Sequence, residues 1–413
     1  MTSKIMSIDK LSKLTTEDFY FNYLIKNQPC IFNQNFTSDW KCRSSWKDNS
    51  KINLKNLFQF TKATDMMLIA DCNRFYFDSH LKSDMTVQEF LVYWNGFQLK
   101  EDDRLLYLKD WHYFLGNEKA SDFFVQLNHF SSDWFNEFSD IRRDVIDDYR
   151  FVYVGVKGSW TGFHVDVLRS YSWSANVIGK KRWILFPPGF EKEIPANTND
   201  IRKFAGIDKI PHIDVIQEEG EIIFVPSGWF HQVENITDCV SLNHNWINGF
   251  NACSSWEELC RQLEAVERET SDVSDTPGYI EQCQVCLKAY SGMNFEEFIV
   301  MTLSIIYKRF KKLLKIQGKQ LEDISDSSAG SITFLGNFFE RVISSELVEI
   351  QSAIDWTDES IQFDIADIDR AFRVLQLIAD HPRCQTLQLL PQQIQQFVQQ
   401  NSNFIKTRNK FAF

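Results

Sequence analysis

Glycine and proline are scarce in this 413-residue chain, at 16 and 9 residues. That excludes a collagen-like repeat and leaves little room for low-complexity linkers. No run of about 18 uninterrupted apolar residues occurs, so no membrane-spanning helix is expected. Met1 to Leu14 alternates polar and apolar residues and lacks the apolar stretch of a signal peptide. Basic residues are in deficit, 44 Lys and Arg against 56 Asp and Glu, and the net charge of −12 disfavours direct nucleic-acid binding. Nine cysteines, an odd number with irregular spacing, do not read as a disulfide framework and fit free thiols in a reducing compartment. The expectation is a soluble, cytoplasmic protein with no membrane partner, a nuclear presence being left open. Without a secretory signal, Asn235-Ile236-Thr237 is read as a chance match to a glycosylation acceptor.

What is abundant is apolar and aromatic: 44% of residues are hydrophobic and 15% aromatic, with 36 Phe, 12 Trp and 12 Tyr. Such a chain folds around a large core. Three textures follow one another. Residues 1–104 read as a mixed α/β region, with helices over Thr16 to Lys26 and Thr86 to Asn95 and with Thr16 and Thr86 as N-caps. Residues 105–252 carry short strand-like runs, among them Arg150 to Val156, Ser172 to Ile178, Arg182 to Phe186, Glu221 to Val225 and Cys239 to Trp246. Turns at Gly179-Lys180, Pro187-Pro188-Gly189 and Pro226-Ser227-Gly228 punctuate them, the pattern of a β-sandwich or barrel. Residues 253–413 switch to three- and four-residue periodicity, with helices expected at Phe295 to Lys315, Gly330 to Ile350, Ile365 to Asp380 and Pro391 to Gln400. The fold class is α+β.

The chemistry concentrates in Thr161-Gly162-Phe163-His164-Val165-Asp166 and, 65 residues after Asp166, in His231. On a strand, positions i and i+2 share a face, so His164 and Asp166 can present an imidazole and a carboxylate together. With His231 from a neighbouring strand they would make a 2-His-1-carboxylate facial triad, which suits Fe(II) and leaves coordination positions open. One His-x-Asp is weak evidence, since about half a copy is expected by chance in a chain of this composition. A competing pair, His212-Ile213-Asp214, lies only 17 residues before His231, too close for the intervening strands of a barrel. Lys181, at the end of an inward strand, suits the far carboxylate of a dicarboxylic keto-acid, although in isolation a solvated turn lysine is the better explanation. Phe163, Trp173, Trp229 and Phe230 are candidate aromatic walls or ordinary core.

The runs Gly158 to Asp166, Trp173 to Pro188, Phe224 to His231 and Ser241 to Trp246 resemble the Jumonji-C family of 2-oxoglutarate oxygenases. The resemblance implies a double-stranded β-helix, a cupin-like jelly roll, with iron at His164, Asp166 and His231. It implies 2-oxoglutarate and O2 as cosubstrates, Lys181 and Thr161 as cosubstrate contacts, and Asn243 as a further polar contact. Ser174 stands where several relatives carry Asn. Within the family the match is to the branch that hydroxylates a lysine of the eukaryotic translation release factor, so that factor is the expected partner. Histone lysine demethylation, which uses the same iron chemistry, and a non-catalytic β-helix scaffold are the alternatives, and a homodimer stays open.

Other features carry less. Cys283-Gln-Val-Cys286 has zinc-ligand spacing but no second pair nearby. Lys308, Arg309, Lys311, Lys312, Lys315 and Lys319 form a basic cluster read mainly as a solvated helix face, and His244 as a hydrogen-bonded core histidine.

Overall fold

The computed structural model describes residues 5–49, 51–76, 79–115, 118–142, 147–316, 335–336, 359–390 and 392–401. They fall into two compact units: Met1–Ser131 with Tyr149–Asp166 and Ser170–Asn245, and Ser132–Asp148 with Val167–Arg169 and Trp246–Phe413. The strands are β1 (Asp9–Leu11), β2 (Cys30–Phe32), β3 (Lys47–Asp48), β4 (Lys51–Ile52), β5 (Met66–Tyr76), β6 (Ser79–Thr86), β7 (Leu106–Trp111) and β8 (Arg150–Gly155). They continue with β9 (Trp160–His164), β10 (Tyr171–Ile178), β11 (Lys181–Phe186), β12 (Ile213–Gln217), β13 (Ile222–Val225), β14 (Phe230–Asn235) and β15 (Cys239–Trp246).

The first unit is built on two sheets. A nine-stranded sheet runs in the order β1-β2-β13-β10-β15-β8-β7-β5-β6, and a four-stranded sheet in the order β12-β11-β14-β9. The two are the faces of a cupin-like double-stranded β-helix. The larger sheet takes β1, β2, β5 and β6 from the first 104 residues, so it runs across the texture change seen in the sequence.

Strand β11 is apolar at successive positions. Trp183 and Leu185 join Ile223, Val225 and Val233 between the sheets, whereas Ile184 and Phe186 point the other way, against Ile194, Ile201 and Ile210 of the segment preceding β12. Both faces are covered, and the strand reads as continuous apolar sequence. The far face of the large sheet is closed by stacked aromatics, with the Phe130 and Trp173 rings 5.6 Å apart and Phe19 and Phe32 5.5 Å apart.

The Thr86 cap is observed with its full capping box, Glu89 reaching back to the Thr86 amide, on the helix Val87–Gln98. The first helix is shorter than the periodicity predicts. It spans Thr16–Phe19, gives way to a wider turn over Tyr20–Leu24, and is capped by Thr15, whose hydroxyl accepts the Asp18 amide, rather than by Thr16.

The second unit is helical, with Ala252–Glu269, Tyr279–Ser291, Phe295–Ile316 and Glu359–Asp380. The helix expected at Gly330 to Ile350 lies outside the described residues apart from 335–336, and Pro391 and Lys319 lie outside them as well. None of the described helices is long and apolar enough to cross a membrane. Within the basic cluster Arg309 is buried and bonds Glu137 at 2.6 and 2.7 Å and Asp367 at 3.0 Å, whereas Lys312, paired with Asp364, and Lys315 are exposed as a solvated face requires.

Two stability predictions follow from this packing. Gly179, in the β10–β11 turn, has φ +92, and a Cβ there would sit 2.2 Å from the Asp238 carbonyl oxygen. Gly179→Ala is therefore expected to cost about 1–3 kcal/mol, read from the chemical denaturation midpoint. Arg309→Met leaves Asp367 buried without its cation and removes two bonds from Glu137, and is expected to cost about 3–5 kcal/mol in the same assay.

Candidate metal centre

Strand β14 pairs antiparallel with β9 so that His231 lies directly opposite His164. Direct opposition puts both imidazoles on the same side, and beyond that pair the register slips by a bulge before Val233↔Thr161. Their ring centroids are 4.4 Å apart. Asp166 is not on the strand, as the i, i+2 argument assumed: β9 ends at His164, and the chain turns through Leu168 (φ 49) and Arg169 (φ 50), both left-handed. The turn still delivers the carboxylate. Ligand atoms of His164, Asp166 and His231 all lie within 4.8 Å of one another, and no other such cluster occurs among the described residues.

The hydrogen bonds around these groups fix which atoms are free. His164 Nδ1 lies 2.8 Å from the Gly162 carbonyl, and His231 Nδ1 lies 3.0 Å from that of Trp229. A carbonyl can only accept, so each Nδ1 carries the proton and each Nε2 keeps its lone pair for a metal. Burial, then the neighbouring His231, pushes the His164 imidazolium down to about 4, which keeps that ring neutral at pH 7. Asp166 accepts from the Ser172 hydroxyl at 2.6 Å through one oxygen. Two imidazoles and one carboxylate, each oriented by a second partner, fit a divalent transition metal with open positions.

Lys181, at the head of β11, is only 2% exposed. Its ammonium donates to Tyr107 Oη and Asn235 Oδ1, each at 3.0 Å, both neutral acceptors. A buried cation without a counter-ion is costly, and an incoming carboxylate would neutralise it. Tyr107 and Asn235 are site residues that the sequence reading did not single out; Asn235 is the register partner of Lys181 on β14.

Thr161 is buried, and its hydroxyl accepts the Val233 amide at 3.2 Å within the bulge. Ser174 lies two residues beyond Ser172 on β10 and so shares the face that meets Asp166; its hydroxyl is buried without a partner. Asn243 is half-buried on β15 and donates to Ser241 at 3.0 Å. Its neighbour His244 stacks on Trp173 at 4.2 Å on the opposite face, and neither of its ring nitrogens is hydrogen-bonded. His244 is thus core, without the hydrogen bond expected for it.

The candidate aromatic walls are core too. Trp173 packs behind the large sheet, Trp229 is buried with its indole N–H on the Asn27 carbonyl, and Phe163 and Phe230 pack together at 5.4 Å on the outer side of the small sheet. The aromatic that does face the centre is Trp183, 5.6 Å from His231. The competing pair does not assemble: His212 stacks on Phe186, and Asp214 is held by Arg182 at 2.6 and 2.9 Å.

The cupin-like domain family matches residues 16–252. A zebrafish (Danio rerio) relative, the 2-oxoglutarate and iron-dependent oxygenase JMJD4, is 39% identical over 77% of this chain and 78% of its own. Human (Homo sapiens) JMJD4 is 38% identical over 74% and 76%. This chain belongs to the JMJD4 family of cupin-like oxygenases. An Arabidopsis thaliana relative named arginine-specific demethylase JMJ20 is 34% identical over 90% of the chain and 85% of its own length. The cupin-like match spans β2 to β15 and with them His164, Asp166 and His231.

Replacing Asp166 by Ala removes the only carboxylate of the cluster. Titration of the purified variant with Co(II), followed by its visible d–d absorption, is expected to show at least a ~100-fold loss of affinity against the parent chain.

Proposed function

We propose that this chain is an Fe(II)- and 2-oxoglutarate-dependent protein oxygenase that hydroxylates a lysyl carbon of the eukaryotic translation termination factor. The observation that carries the oxygenase reading is the convergence of His164, Asp166 and His231, at the same small sheet that holds the uncompensated ammonium of Lys181. His164, Asp166 and His231 would hold the iron. Bound iron, with keto-acid and dioxygen, supplies the oxidising chemistry at a substrate C–H bond.

The chain's own side chains do the rest. Lys181, steadied by Tyr107 and Asn235, neutralises the far carboxylate of the keto-acid, and Thr161, Ser174 and Asn243 offer polar contacts around it. Ser172 holds the Asp166 carboxylate in place, and the two backbone carbonyls keep both imidazoles from rotating. Trp183 and the apolar cluster beneath it keep water away from the small-sheet side. The nine free cysteines suit a cytoplasmic setting.

A second reading is favoured by the name of the Arabidopsis relative: N-demethylation of a methylated arginine, which needs the same oxidation at an N-methyl carbon. Mass spectrometry separates the two. Incubation with Fe(II), 2-oxoglutarate and recombinant termination factor is expected to add the mass of one oxygen to a single lysine. Loss of a methylene mass from methyl-arginine peptides, with the factor untouched, would replace the first reading by the second. Lys181→Ala is expected to raise the Michaelis constant for 2-oxoglutarate by about 30-fold or more, because a charged hydrogen-bonding partner is removed from a buried anion.

A further inference from the structure

Beyond the metal cluster, the wall made by β5, β6 and β7 carries charged and polar groups that no step above uses. Tyr107 reaches Lys181, which places its side of β7 toward the centre. Normal pairing would continue from Leu108↔Val154, but β7 bulges before Trp111↔Val152, so Lys109 and Asp110 together face Tyr153. Asp110 is left-handed at φ 58, a conformation that a non-glycine residue holds only where the surroundings enforce it. Bulges of this kind re-aim side chains beside active sites.

The re-aimed carboxylate is doubly held. Tyr153 Oη donates to Asp110 Oδ1 at 2.7 Å, and Lys82 Nζ donates to Oδ2 at 2.7 Å. Tyr153 stands edge-on to Tyr107 at 5.9 Å and is close enough to Asp166 to feel its charge. Two residues before Lys82, on the same face of β6, lies His80. It is 3% exposed, wedged between Phe75 at 4.4 Å and Trp160 at 4.7 Å, within electrostatic reach of His164, and neither ring nitrogen has a hydrogen-bonding partner. Unlike His244, which lies behind the large sheet, this unpartnered imidazole shares a strand face with the lysine that holds Asp110.

We propose that Asp110 accepts the cationic side-chain nitrogen of the protein substrate, in exchange for the resident Lys82 ammonium, with His80 offering a second contact beside it. The proposal rests on the oxygenase reading and deepens it, because lysine and arginine share the positive charge that such a carboxylate selects. The Lys82–Asp110 pair is partly exposed on both sides, at 32% and 34%, so the exchange is cheap. Lys82 marks where an ammonium sits.

The test is a binding measurement on the metal-free full chain, made by ligand-observed NMR with the Nα-acetyl amides of lysine, arginine and the neutral norleucine. The cationic probes are expected to bind at least about tenfold more tightly than norleucine, Asp110→Asn to erase that preference, and Lys82→Met to enhance it. The stronger of the two cationic probes names the side chain. Equal binding of all three probes, a preference that survives Asp110→Asn, or one that Lys82→Met weakens would each overturn the proposal. Failure of the oxygenase reading would look different: no 2-oxoglutarate-dependent succinate from the iron-loaded wild type, with the cation preference intact.

Discussion

The antiparallel pairing of β14 with β9 is the constraint on which the site depends. It sets His231 across from His164, and as opposite partners the two rings share one side. A shift of one residue in that pairing would send one imidazole to the outer face, among Phe163, Phe186 and Phe230. The apolar packing on both faces of the small sheet therefore has a chemical role. Trp183, Leu185 and Val233 on one side, and Ile184 and Phe186 on the other, make any slipped register bury the wrong groups.

The second organising feature is an imbalance of charge. The Lys181 ammonium is buried against a phenol and an amide rather than a carboxylate. Structural lysines in such positions are ordinarily paired, because the desolvation of an isolated ammonium is expensive. In the helical unit the same problem is solved internally, Arg309 meeting Glu137 and Asp367. The contrast separates a cation that completes the fold from one that is completed by a ligand.

Much of the centre was legible in the sequence because its ligands are rare residue types. With eight histidines in the chain, the 17-residue interval between Asp214 and His231 already told against His212 and Asp214 as the ligand pair. The surrounding contacts were not legible, because they join positions that only the strand register brings together. Tyr107 lies 74 residues from Lys181 and Asn235 lies 54 away. Asn235 was read within a chance glycosylation match, and nothing local distinguishes Tyr107 from the other tyrosines. Of the two readings left open for the aromatic residues, core holds for a related reason: Phe163 and Phe230 flank metal-binding positions in sequence, yet strand alternation places them on the opposite face, where the segment before β12 covers them. The strand assignments over β8, β10, β11, β13 and β15 were legible, since β-branched and aromatic runs were bounded by clear turns. Asp166 fell outside its expected strand because two left-handed residues end the extended chain there, and Leu and Arg give no sign of that conformation.

The carbonyl groups of Gly162 and Trp229 have one more consequence. They lock the two imidazoles before any ion arrives, so uptake demands no rearrangement and the cavity offers the same donor geometry to every small divalent ion. Affinity among such ions climbs from manganese and iron toward nickel and copper whatever the protein prefers. Nothing in a rigid trio of this composition discriminates against the stronger binders, and correct loading is therefore governed by which metals the cell leaves exchangeable.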